Sequence, residues 1–198
     1  ARVEYTVWSE VFTCPDCAGE VVFLDEALDP KTKRVKDAFP CPHCRAELTK
    51  KRMDRFYETQ HDKPLQSAIR TLKRKPVLII YKIGKHKYEK KPDVEDFDLL
   101  AKIDSLEWPM EVPAVELPYM HMTHERARMD NAGVTYTHHF FLPRPAHAIS
   151  ALWRKADAFS DAHIRKMLLF FVEQAIWGMS VLNRYQPIQH GRPGGSQV

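Results

Sequence analysis

Four cysteines constrain this chain more than anything else in it. They are its only cysteines, and they fall in two matched pairs, Cys14-Pro15-Asp16-Cys17 and Cys41-Pro42-His43-Cys44. Two thiolates separated by two residues can grip one ion from a single tight turn. Two such turns close a tetrahedral four-sulfur site, which is the ligand set and spacing of structural zinc. A redox centre needs only one such pair, placed where a strand enters a helix, whereas both pairs here have strand-like flanks. A disulfide-stabilised secreted domain would be shorter and richer in cysteine. Cys14, Cys17, Cys41 and Cys44 are therefore expected to hold zinc. Four thiolates leave no open position for water or substrate, so the expected role is structural. His43 lies inside the second pair and is expected beside the sulfurs without binding the metal.

The chain has 198 residues, 44% of them hydrophobic, which suits one large or two small folded domains and excludes wholesale disorder. No stretch reads as a membrane span; the most apolar, Met167 to Met179, is short and is interrupted by Glu173 and Gln174. The start, Ala1-Arg2-Val3-Glu4-Tyr5, lacks the apolar run of a signal peptide, so the reducing cytoplasm is the expected compartment. It also lacks an initial Met, and the last eight residues read as mid-loop, so a piece of a longer protein is expected. Charge is uneven. Residues 45–91 carry fifteen Lys/Arg against five Asp/Glu, whereas residues 92–130 carry three against ten. A basic block beside a metal module points to a polyanion, although most charge runs are only solvated surface.

Taken in order, residues 3–13 read as a strand leading into the first cysteine pair, and Glu20 to Asp25 as the returning strand. Asp29 to Asp37 reads as a loop or a loose hairpin. Two cysteine turns on short hairpins make a zinc ribbon, which is too small to fold without its metal. Lys50 to Tyr57 fits either a helix or a strand. Residues 66–72 read as a weak strand, and Val77-Leu78-Ile79-Ile80-Tyr81 as the strongest, turning at Gly84 into His86 to Lys90. The lysines of this hairpin suit phosphate contact, although protection of a sheet edge is the plainer reading. Pro92 opens an acidic helix. Residues 108–122 show no clean period. His121, His124, His138 and His139 lack helical ligand spacing, and the adjacent His138 and His139 would point to opposite sides of a strand, so no second metal site is expected there. Helices are expected over Ala146 to Ala158 and Asp161 to Leu182. The second is apolar nearly all round toward its end and should be buried or packed against something else. The stretch Gln189 to Gly195 reads as a phosphate-binding loop or a linker. The expected fold class is α+β: a four-cysteine zinc ribbon with β-hairpins, then a helical C-terminal half. The expected domains are 1–56 (zinc ribbon), 57–143 (α+β recognition region) and 144–198 (helical segment and linker).

Several runs resemble a known family. Tyr5-Thr6-Val7-Trp8-Ser9-Glu10-Val11-Phe12-Thr13-Cys14-Pro15-Asp16-Cys17 is similar to the start of a zinc-ribbon insert in large bacterial DNA methyltransferases of the adenine or cytosine amino-group type. Asp37-Ala38-Phe39-Pro40-Cys41-Pro42-His43-Cys44, Glu47-Leu48-Thr49-Lys50, Lys90-Lys91-Pro92-Asp93, Thr137-His138-His139-Phe140-Phe141 and Ala151-Leu152-Trp153 continue the resemblance over most of the chain. Neither an Asp-Pro-Pro-Tyr-like tetrapeptide nor a Phe-x-Gly-x-Gly loop is present. The resemblance thus implies the internal target-recognition region of a restriction-modification methyltransferase. No catalytic residue lies in it, and S-adenosylmethionine and the flipped base would be held by other parts of the protein.

The leading expectation is a zinc-stabilised DNA-recognition segment. Lys50, Lys51, Arg52, Arg55, Lys73, Arg74, Lys75, Lys82, Lys85 and Lys87 would meet phosphates, and unspecified polar residues would read base edges. The alternative is a structural or protein-interaction module that docks on a catalytic domain through the Met167–Met179 stretch. A self-contained metalloenzyme using the histidines would require a second metal with an open position.

Overall fold

A computed structural model describes residues 1–126, 129–185, 188–189, 192–193 and 196–197. The architecture mixes α and β, with an N-terminal sheet and a helical C-terminal half. The chain divides into two compact units. The first is Ala1–Thr59, Arg70–Val94 and Tyr185–Ser196; the second is Gln60–Ile69, Glu95–Arg184 and Gln197–Val198.

The first unit is built on β1 (Arg2–Thr13), whose Val7, Ser9, Val11 and Phe12 are buried. Its β-branched and aromatic residues fit a pleated, half-buried surface. β1 pairs antiparallel with β2 (Glu20–Val22), with the two-residue β5 (Asp54–Arg55) and with β8 (Arg74–Ile83), and β8 pairs with β9 (His86–Lys90). The register shifts between Val7 and Trp8, where Trp8 faces Pro76. Pro76 has no N–H to give the ladder, so a bulge beside it is where the chain tolerates it. The strand expected over Glu20 to Asp25 ends at Val22, and Phe23–Ala27 forms the short helix α1. Buried Ser9 accounts for this turn: its Oγ accepts the N–H of Leu24 at 2.9 Å, capping α1 from a neighbouring strand. β3 (Ala38–Pro40) and β4 (Glu47–Thr49) make a separate hairpin. Lys50 to Arg55 forms a turn and the strand β5, not a helix.

β6 (Tyr57–Asp62) and β7 (Ser67–Leu72) form a two-stranded ribbon, and its tip, Gln60–Ile69, counts with the second unit. That unit continues through α2 (Val94–Ser105), an irregular stretch, and α3 (Pro143–Asp157) packed on α4 (Ala162–Met179). The Asp161 carboxylate caps α4 by accepting the N–H groups of His163 (2.8 Å) and Ile164 (2.9 Å). Buried Ser150 of α3 donates to Glu111 at 2.6 Å, which ties the irregular stretch to the helices. In that stretch Thr137 pairs with Val115, and Leu117 with Thr135, through backbone hydrogen bonds of 2.9 and 2.8 Å. Of the two expectations for α4, burial is not met: none of its residues is buried, and Phe171 is 77% exposed, which leaves packing against something else. Its apolar surface exceeds what α3 can cover. No helix among the described residues is long and apolar enough to cross a membrane. The expectation for Gln189 to Gly195 falls largely outside the described residues.

A candidate metal centre and a second polar cluster

The two cysteine pairs fold into turns of the same design. In the first, Ala18 donates its N–H to the Cys14 carbonyl (2.9 Å) and Cys14 donates to Gly19 (3.0 Å). In the second, Arg45 donates to Cys41 (3.1 Å) and Cys41 to Ala46 (2.8 Å). The residue just after each second cysteine turns left-handed, Ala18 at φ 57° and Arg45 at φ 67°. Such conformations are costly without glycine and persist where the surroundings over-determine them. Here both recur at the same step of the same turn.

These turns bring the four sulfurs together. Cys14 Sγ lies 3.8 Å from Cys44 Sγ, and Cys17 Sγ 3.8 Å from Cys41 Sγ; all four lie within 4.8 Å of one another. A tetrahedron with metal–sulfur bonds of about 2.3 Å has edges of about 3.8 Å. A disulfide would need about 2.05 Å, and all four thiols are free. The group can hold a metal ion. Its electrostatics point the same way. For Cys41, burial pushes the thiol up, but the amides of Cys44 and His43 and the neighbouring sulfurs outweigh it and bring it down to about 6. For Cys17, the Gly19 amide pulls down, while burial and the three other sulfurs prevail and push it up to about 12. Sulfurs this close resist ionising together, and a central cation removes that resistance.

The site is part of the core. Phe12, Val21, Ala27, Phe39, Leu48 and Met53 pack in one buried cluster with Cys14 and Cys41. His43 has its backbone N–H 3.4 Å from Cys41 Sγ, while its ring turns to the first cysteine turn, where Nε2 donates to the Glu20 carbonyl at 2.9 Å. The ring lies against Gly19, where an added Cβ would come within 2.5 Å of His43 Cδ2. Nothing in the spacing of the residues signals this contact between the two turns.

The ten basic residues expected to meet phosphates do not form one free patch. Lys73 and Lys75 both reach Glu20, at 2.6 and 3.3 Å. Lys82 and Lys87 both reach Glu4, Lys87 at 3.0 Å. Arg55 lies 3.8 Å from Glu10 and Arg52 3.5 Å from Asp16. These contacts hold both carboxylates that take two lysines, Glu4 and Glu20, below their ordinary range. Lys50 sits over the Phe23 ring at 4.9 Å. Burial lowers the Arg74 pKa. Lys51 and Lys85 are exposed.

The histidines behave differently from the strand expectation. Thr137–Phe140 is a 3-10 turn, in which successive side chains diverge by about 120° instead of 180°. His138 and His139 thereby converge on one atom: both Nε2 lie near Asp62 Oδ2, at 2.8 and 2.9 Å. Asp62 was not singled out by sequence, since nothing links position 62 to 138 along the chain. Its Oδ1 accepts the Leu65 N–H at 3.0 Å. The three side chains are nearly inaccessible, at 3% for Asp62 and His138 and 8% for His139. His121 and His124 lie apart from this group; His124 stacks on Tyr119, with ring centroids 3.6 Å apart.

No protein-family model matches the chain, and no curated protein or solved structure matches it.

Proposed function

We propose that this chain is a DNA-recognition segment of an amino-group DNA methyltransferase, stapled by structural zinc in a ribbon formed by the two cysteine turns. The sulfur geometry carries the zinc part: four thiolates at zinc-like separations, two of them fully buried in a core, leave no coordination site for substrate. The DNA part rests on the basic sheet edge and on the family resemblance. Lys85 and Lys87 stand exposed on the β8–β9 hairpin, and Lys51 follows the second cysteine turn. Lysines now held by Glu4 and Glu20 can exchange a carboxylate for a phosphate, because surface ion pairs contribute little to stability. S-adenosylmethionine and the reacting base would belong to the rest of such an enzyme.

The test is binding of the full chain to duplex DNA across a salt series. The expected log–log slope is about −0.9 per phosphate neutralised. Charge reversal at Lys51 and Lys85 should weaken binding at every DNA sequence. A salt-independent response, or none at low salt, sinks the DNA reading. Metal analysis tests zinc separately, with one ion per chain expected.

A second reading, a module that docks on another protein, is favoured by α4. Ile164, Met167, Phe170, Phe171 and Trp177 are all about half or more exposed. Several large apolar side chains exposed on one helix are the mark of an interaction site. In that case the chain ignores DNA and stays monodisperse only with its partner.

A further inference from the structure

We propose that Asp62, His138 and His139 form a proton-operated clamp, which fastens the tip of the β6–β7 ribbon to the 137–140 turn while both imidazoles are neutral and lets go on acidification. The argument is geometric and does not depend on the proposed DNA function. His139 Nδ1 accepts the backbone N–H groups of Thr135 and Tyr136, both at 3.2 Å. An atom that accepts two N–H groups carries no proton, so His139 has its proton on Nε2 and donates it to Asp62. His138 Nε2 donates to the same oxygen, leaving His138 Nδ1 bare, buried and without a hydrogen-bond partner.

Burial pushes the Asp62 carboxyl up, but the His138 and His139 hydrogen bonds outweigh it and hold it below the ordinary carboxylate range, so the next proton lands on an Nδ1. On His139 it would face two N–H donors and break the contact that caps the 3-10 turn at Tyr136. On His138 it would be a buried donor without an acceptor, a costly arrangement. The groups facing the imidazoles are Asp62 from β6, the Tyr136 ring from the same turn and the uncharged Trp108 indole, 5.7 Å from His138 between centroids. Burial and the His138 charge lower the His139 pKa, and Asp62 only partly offsets them. The sign follows: the unfolded imidazole takes its proton near pH 6.5 and the folded one at a lower pH, so the clamp is intact above about 6.5 and weakens below it.

The three ligand atoms lie close enough together to hold a metal ion, but they stand closer than a tetrahedral site sets. Ligand atoms around a tetrahedral nitrogen–oxygen site stand about 3.3 Å apart, whereas the two Nε2 atoms approach Asp62 to 2.8 and 2.9 Å.

Nitrogen-15 NMR of the full chain, with residue-resolved amide exchange from pH 8 to 5, decides the matter. Expected are Nε2–H tautomers for both rings at pH 8. The opening equilibrium around residues 62–65 and 135–142 should rise up to about tenfold per pH unit for each proton taken up. His139→Asn places an oxygen where Nδ1 stood; it still accepts from Tyr136 but cannot be protonated, so the pH dependence should flatten. If that variant does not fold, the wild-type tautomers and exchange decide alone. An Nδ1–H tautomer of His139 at pH 8, unchanged exchange down to pH 5, or a second equivalent of zinc that shifts these rings overturns the clamp.

Discussion

Gly19 owes its identity to a neighbouring ring. A Cβ there would stand 2.5 Å from His43 Cδ2, and the ring is held in place by its bond to the Glu20 carbonyl. Gly19→Ala should therefore displace His43 and cost about 1–3 kcal/mol, the usual penalty of overpacking. Denaturant unfolding of the metal-loaded protein measures it. In a His43→Ala background the same substitution should cost far less, because the clash is gone; equal costs in both backgrounds would mean that backbone freedom matters instead. Residues that act through local spacing were legible in the sequence, the four cysteines above all. Gly19 and Asp62 were not: each is defined by a partner distant along the chain, His43 in one case and the histidine pair in the other. Adjacent His138 and His139 misled for a related reason, because their directions depend on whether the backbone is strand or 3-10 turn, and two residues carry no period.

Among the elements, strands were legible where β-branched and aromatic residues ran together, as in β1 and β8, and the acidic first turn of α2 was equally plain. α1 was hidden because its cap comes from Ser9, on another strand. α4 raises a different point. Its apolar pattern reads as a helix buried or packed against something else; among the described residues it packs chiefly on α3 and leaves Phe171 77% exposed and Met167 58% exposed. Its stability cannot then depend on those side chains. Met167→Lys with Phe171→Lys should leave the unfolding midpoint nearly unchanged, within about 0.5 kcal/mol per site, as for other surface substitutions. The same pair should reduce self-association in light scattering, since it breaks the exposed apolar stripe. A large loss of stability would mean that this face is covered in solution.

For the whole chain, the division into two units makes the response to metal removal specific. The first unit has its sulfurs inside the core: Cys14 and Cys41 are 1% and 0% exposed and pack with Phe12, Phe39 and Leu48. The hairpin β3–β4 is three residues per strand and cannot hold itself by backbone pairing. Removing the ion leaves four crowded thiols that must reprotonate, and the turns at Ala18 and Arg45 lose the constraint that keeps them left-handed. The second unit contains none of the cysteines. Its order rests on α3 against α4, on Ser150 with Glu111, and on the Asp62 cluster. Chelation at neutral pH should therefore erase amide protection across residues 14–49 while α3 and α4 keep theirs, and zinc should restore it. Loss of protection in both units at once would mean that the chain folds as one cooperative body with the metal at its base. Unchanged protection in the first unit would mean that the sulfur cluster is held by packing alone, and the metal would then be an occupant instead of a staple.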